Sequence, residues 1–296
     1  MLNPVRLSEI LLLVVAIVWG TSYGVAKGAI IFYPVFGFLA IRFTITALIL
    51  SPSLLRLQRV RLKKTVRVGI PLGTILLGIF VAETYGLSLT SASNAAFLIS
   101  TCVVLTPIVE FFLLGTRPTL NIVMAVIVSL IGAYLISAGG TLSFNRGDLL
   151  ILVAALLRAL MVTFTKLMTR DAAISTTALT AVQTGVVGGG SLILGAVLLP
   201  GGLPALPMAS GFWIGTLYLV MFCTLFAFFV QNYAVRNTSP TRVSLLMGTE
   251  PVFGALFAVI WLGESASTSV WIGGALIVAG SLWGTLAPMK RVLAAA

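Results

Sequence analysis

The sequence predicts an all-α integral membrane protein of ten transmembrane helices, arranged as two inverted five-helix repeats around a central cavity. Three observations carry this expectation: more apolar surface than one water-soluble core can bury, ten apolar runs of spanning length, and a duplication inside the chain. Of the 296 residues, 59% are hydrophobic and 8% charged, with a mean hydropathy of +1.15. A water-soluble domain carries about 25% charged residues, so the excess apolar surface must face lipid.

A helix needs roughly 20 apolar residues to cross the hydrocarbon. Runs separated by short polar, Gly or Pro breaks place ten spans at 9–26, 31–51, 68–88, 93–114, 120–138, 148–167, 175–199, 211–234, 241–262 and 268–287. None alternates with the period of two that a membrane strand requires. The first run follows Arg6, but Trp19, Tyr23 and Lys27 make a poor cleavage region for a signal peptide, so it reads as a retained span. Gly20, Gly24 and Gly28 recur on it every fourth residue, a packing stripe that lets another helix approach closely.

Positive residues favour the cytoplasmic side. With the N-terminus inside, that side collects Arg6, the basic stretch Arg56, Arg59, Arg61, Lys63, Lys64 and Arg67, then Arg117, Lys166, Arg170, Arg236, Arg242, Lys290 and Arg291. The other side receives only Lys27 and Arg146, while Arg42 and Arg158 fall within spans. Both termini are therefore expected in the cytoplasm, with the chain in the inner membrane. The net charge of +11 reads as topology and not as nucleic-acid binding. Residues 52–67, the longest connection, mark topology or lie along the anionic lipid surface.

Several chemistries are excluded. There is no histidine, which removes zinc-protease helices and Ser-His or Cys-His dyads. No stretch matches the phosphate-binding G-x-x-x-x-G-K-[ST] loop. Cys102 and Cys223 lie inside apolar runs and act as small apolar residues. Neither an enzyme, a metal site nor a cofactor is expected.

Sliding the chain on itself matches residues 85–135 to 233–283 without a gap, at a shift of 148. Tyr85 falls on Tyr233, Leu114-Gly115 on Leu262-Gly263, and Gly132 on Gly280; nearer the start of each half the shift is 139, pairing Lys27 with Lys166. The expected division is residues 1–138, a connecting loop at 139–147, and residues 148–296. An odd number of spans per half makes the second half enter the membrane in the opposite sense. Inverted repeats recur in secondary transporters, with the substrate near mid-membrane between the halves. A channel or a non-transporting scaffold could share the duplication, although no large soluble loop favours a scaffold.

Charges in hydrocarbon cost several kcal/mol and face a cavity or a partner. Arg158 and Glu250 fall near mid-membrane, where they either form a buried ion pair or hold the two ends of a zwitterionic solute. Arg42 and Glu83 serve as structural glue or cavity lining, and Glu110, near a helix end, is expected to snorkel. A carboxyl in hydrocarbon favours its neutral form, which makes Glu83 and Glu250 candidate proton acceptors; no ion coupling is established by the sequence. Trp19, Tyr23, Tyr85, Asn94, Gln231, Asn232 and Tyr233 are cavity candidates, because their polar ends need partners. Pro107 and Pro251 each free a backbone carbonyl one turn earlier and are candidate hinges, with Gly248 and Thr249 easing the second.

Trp19-Gly20 with Lys27 downstream, Arg42-Phe43, the Tyr-x5-Ser spacing at Tyr85 and Ser91 and again at Tyr233 and Ser239, and Glu250-Pro251 before Leu262-Gly263-Glu264 together resemble the drug/metabolite transporter (DMT) superfamily, in its EamA-type branch. The similarity covers nearly the whole chain. It implies a ten-helix secondary carrier with two inverted repeats, whose first, third and fourth helices in each half surround the cavity. The implied lining is Trp19, Tyr23, Tyr85, Asn94, Arg158, Tyr233 and Glu250. Within the branch the chain is similar to YddG-type exporters of aromatic and other neutral amino acids, which implies such a substrate; drugs, polyamines or other metabolites are the alternative. Arg158 stands where the first half has Trp19, a departure that bears on substrate choice.

Overall fold

The computed structural model describes residues 4–137, 145–170, 174–262 and 267–286. Gly263, Glu264, Lys290, Arg291, position 138 and positions 139–144 of the expected connecting loop lie outside the described residues. The chain is helical: α1 (Pro4–Ile30), α2 (Val35–Leu50), α3 (Pro52–Leu55), α4 (Arg59–Leu89), α5 (Ala92–Ser100), α6 (Cys102–Leu114), α7 (Leu120–Ser137), α8 (Arg146–Thr169), α9 (Thr176–Leu198), α10 (Ser210–Tyr218), a π-helical segment (Leu219–Phe226), α11 (Ala227–Asn237), α12 (Pro240–Met247), α13 (Glu250–Leu262) and α14 (Thr268–Leu286).

Among the described residues, eight helical stretches are long and apolar enough to cross a membrane, and Leu120–Ile136 is a shorter apolar helix. Large apolar side chains such as Ile193, Val197, Ile214 and Ile260 are more than half exposed, as a lipid-facing surface requires. The protein is a multi-pass membrane protein.

Three expectations change. The stretch 52–67 is not an irregular loop: α3 occupies its start, and α4 begins at Arg59, so the basic residues ride on a helix that extends beyond the apolar run. Arg and Lys are good helix formers, and nothing in 59–67 breaks a helix that has nucleated in the apolar part. The run 241–262 is not one helix but two, α12 and α13, parted at Gly248 and Thr249. The run 93–114 is interrupted at Thr101, which lies 148 residues before Thr249. At both breaks the threonine hydroxyl donates to the carbonyl three residues earlier, Thr101 to Leu98 (2.6 Å) and Thr249 to Leu246 (2.7 Å). A carbonyl freed inside a bilayer must find a donor within the protein.

Serines start the upper and lower pieces alike. Ser91 accepts from the Asn94 amide and Ser239 from the Arg242 amide, each satisfying an orphan N–H at a helix start. Asn145 caps α8, accepting from the Gly147 and Asp148 amides while Asp148 accepts from Asn145 N, a reciprocal capping box.

Helix α7 packs on α14, α2 on α9, α4 on α8 and α9, and α1 on α11 and α13. At the α7–α14 seam a Cβ on Gly132 would lie 2.5 Å from the Gly273 carbonyl oxygen, and one on Gly273 the same distance from that of Gly132. The close approach expected along Gly20, Gly24 and Gly28 is made at Gly20, where an added Cβ would sit 2.7 Å from Gly254 N and 2.8 Å from the Glu250 carbonyl oxygen. At Gly24 and Gly28 it would meet nothing within 4 Å. Crossing helices approach closely at one point and diverge from it. Gly20→Val should therefore destabilise the protein by roughly 1–3 kcal/mol, read as a lower melting temperature in detergent, whereas Gly24→Ala should leave it unchanged.

Candidate functional site

Three of the five charged residues that the sequence places within spans, Arg42, Glu83 and Arg158, line one pocket. Helix α1 brings Trp19, Ser22 and Tyr23, α2 brings Arg42, α4 brings Glu83, α8 brings Arg158, and α11 brings Phe228 and Gln231. Leu76, Ile79 and Phe80 complete an apolar side.

Arg158 and Glu250 form an ion pair at 3.4 Å, and Tyr23 donates to the second carboxylate oxygen at 3.3 Å. The Arg158 guanidinium also lies 4.6 Å from the Trp19 ring centroid, a cation–π contact. Arg158 lines the pocket, whereas Glu250, 2% exposed, stands out of the wall and reaches it through Arg158 and Tyr23. Of the two roles left open for this couple, the geometry forms the ion pair.

Arg42 is held differently. Its Nε donates to Thr224 Oγ1 at 2.7 Å and its Nη2 to the Cys223 carbonyl at 3.4 Å, and its guanidinium lies over the rings of Phe43 and Phe80. Trp19 Nε1 donates to the same Cys223 carbonyl at 2.9 Å. Cys223 and Thr224 belong to the π-helical segment, whose wider turn leaves carbonyls open to side-chain donors. Thr224 itself bonds the Leu219 carbonyl five residues back. This support for Arg42 and Trp19 has no signature in hydropathy or spacing. Glu83 lines the pocket and has no hydrogen bond or ion pair among the described residues. Gln231 is buried with its amide oxygen unpartnered.

Other expected lining residues lie elsewhere. Tyr85 packs edge-on to Phe36, outside the pocket walls. Asn94, at the start of α5, donates to Asp148 at 2.6 Å and to Thr90 at 3.1 Å. Tyr233 lines a separate hollow with Lys166, Arg170 and Arg236 at the opposite end of the bundle. Asn232 donates to Thr180 and Gln183 between α11 and α9. Their helices were expected around the cavity, but hydrophobic runs do not fix which way each residue turns. Glu110 does not snorkel: it is buried and accepts from the backbone amide and hydroxyl of Thr241, satisfying free donors at the start of α12.

Pro107 lies inside α6, one and a half turns past the break at Thr101, whereas Pro251 stands in the first turn of α13, where a missing N–H costs least. Gly248 has φ −62°, a conformation open to any residue, and an added Cβ would run into Val103. Close packing against α6 accounts for that glycine.

Two groups of contacts overlooked in the sequence tie the bundle ends. Asp148 accepts from Asn94 and Thr90, and the neighbouring Lys27 donates to the Thr90 carbonyl at 2.8 Å. At the other end Arg242 pairs with Glu9 at 3.2 Å, and Lys166 donates to the Arg236 carbonyl at 3.0 Å. The Asn145-x-x-Asp148 spacing is a readable capping signal; Glu9 offered none.

Comparison with known proteins follows the same lines. A family model described as the EamA-like transporter family matches the chain twice, over residues 6–138 and 145–285. An "uncharacterized transporter" of Archaeoglobus fulgidus is 28% identical over 90% of this chain and 82% of its own length. The "uncharacterized inner membrane transporter YedA" of Escherichia coli K12 is 25% identical over 94% and 92%. The "uncharacterized transporter YyaM" of Bacillus subtilis is 25% identical over 92% of each chain. A solved crystal structure, 19% identical, shares the fold with a TM-score of 0.78 over 95% of this chain and 97% of that one.

The ion pair predicts an asymmetry. Removing one partner, as in Arg158→Met or Glu250→Leu, should cost roughly 3–5 kcal/mol, while removing both together should cost much less. Melting temperatures of the three variants in detergent measure the coupling.

Proposed function

The chain belongs to the EamA-like transporter family, and from that premise we propose that it is a secondary carrier exporting neutral, bulky amino acids across the inner membrane by alternating access. In this reading two inverted five-helix halves rock around the pocket, with both termini in the cytoplasm. The orientation follows from the basic residues gathered where α1, α9 and α12 begin and α8 and α11 end.

One observation carries the reading. The contacts that tie the two ends of the bundle correspond under the duplication: the shift of 148 takes Asn94 to Arg242, and the shift of 139 takes Glu9 to Asp148. Asn94–Asp148 joins α5 to α8, and Arg242–Glu9 joins α12 to α1, so each links the fourth span of one half to the first span of the other. Such a pair at opposite ends is what a two-fold rocking motion would make and break in turn. A hydrogen bond to a charged group is worth about 1.5–3 kcal/mol, comparable with the few kcal/mol that separate two populated conformers. The twofold match of the family model and the packing of α2 on α9 and of α7 on α14 support the same symmetry.

Bulky neutral cargo is favoured by the wall. Trp19, Phe80 and Phe228 offer apolar contact, and the two guanidiniums of Arg42 and Arg158 balance the carboxylates of Glu83 and Glu250. Drug cations or polyamines would require a surplus of carboxylates, which this wall lacks.

In proteoliposomes the protein should move or be competed by bulky neutral amino acids; failure of every amino acid to do either would reject the substrate class. Alternating access adds a second outcome. Cysteine pairs at positions 94 and 148, and at 9 and 242, should each stop flux when cross-linked and restore it on reduction. Flux that continues with either pair locked would rule out the rocking motion.

A further inference from the structure

The geometry points to Arg42 and Glu83, and not the Arg158–Glu250 pair, as the polar contacts of the cargo, and to a solute carrying one anionic and one cationic group as its chemical class. This rests on the carrier reading above and assigns the two ends of its substrate.

Three charged side chains line the pocket, and one of them, Arg158, is already paired with Glu250 behind the wall. Arg158 gives its charge to Glu250 and the Trp19 face, and Glu250 takes a further hydrogen bond from Tyr23. Arg42 and Glu83 are left over. They stand in the same wall on different helices, α2 and α4, and make no ion pair with each other. Arg42 is 4% exposed, anchored through Nε and Nη2 on Thr224 and Cys223, with no carboxylate bonded to it. Its Nη1 has no protein acceptor among the described residues. Glu83 has no donor at all among them.

Leaving a guanidinium and a carboxylate unpaired at this depth is costly. A carboxylate at Arg42 and an ammonium at Glu83 would satisfy both at once and bring no net charge into the membrane. A lone anion would leave Glu83 unmet, and a lone cation would leave Arg42 unmet. Gln231 adds an independent acceptor: it is 6% exposed, lines the same pocket, and its amide oxygen is without a partner. Leu76, Ile79, Phe80 and Phe228 supply the apolar surface for the rest of the solute.

The test is ligand-induced thermal stabilisation of the full chain in detergent, with three probes of one shape: phenylalanine, 3-phenylpropionate and 2-phenylethylamine. Wild type should bind phenylalanine at least about tenfold more tightly than either singly charged probe, the weight of one lost charge-assisted contact. Glu83→Gln should erase the advantage over 3-phenylpropionate, and Arg42→Gln the advantage over 2-phenylethylamine. Glu83→Asp and Arg42→Lys should keep part of each. Arg42→Gln also removes the bonds to Thr224 and Cys223, so Glu83→Gln, which breaks no contact, is the deciding variant. An unchanged ranking in Glu83→Gln, or a wild type that does not rank the zwitterion first, overturns the assignment. Flux reads the other claim separately: amino acid export with an unchanged ranking sinks this site alone, and the expected ranking without any amino acid flux sinks the export reading alone.

Discussion

A charge placed in hydrocarbon has to be met by the protein itself, because lipid offers it nothing. The centre of this bundle is arranged around that constraint. Arg158 meets Glu250 and the Trp19 ring, Tyr23 bonds the carboxylate, and Arg42 is braced on Thr224 and the Cys223 carbonyl. These contacts draw α1, α2, α8, α13 and the π-helical segment to one point. Among the described residues Glu83 has no hydrogen bond or ion pair and Arg42 has no carboxylate partner, and both line the open space.

The same rule governs the backbone. Wherever a helix is interrupted within the apolar layer, a side chain or a changed turn takes up the freed groups. Thr101 and Thr249 each bond back three residues at corresponding breaks, and the π-helical turn at Leu219–Phe226 directs the Cys223 carbonyl to Trp19 and Arg42. The π-helical segment lies beside the pocket, where Cys223 and Thr224 hold Arg42.

The bundle ends are tied by contacts of their own. An Asn–Asp hydrogen bond supported by Thr90 stands at one end, and an Arg–Glu pair at the other. They occupy corresponding places yet differ in chemistry, since one joins a neutral amide to a carboxylate and the other joins two opposite charges.

How much of this was legible in the sequence follows from which physical signal each feature leaves. Hydropathy located the helices, because crossing hydrocarbon demands a long apolar run; the duplication was readable because matched residues keep their order; and Arg42, Glu83, Arg158 and Glu250 stood out because a charge inside an apolar run is costly. Azimuth was not legible. Every face of such a helix is apolar, so nothing showed that Tyr85 turns to Phe36, that Tyr233 falls in a different hollow, or that Gly24 and Gly28 face open space. Nor did the sequence show that Glu110 caps α12 or that Glu9 pairs with Arg242, since both partners lie more than a hundred residues away. The sequence by itself determined that the chain is a helical membrane protein with charges to satisfy in its interior; only the tertiary structure decided which charge answers which, because that depends on the rotation of each helix about its own axis, and hydrophobicity is blind to it.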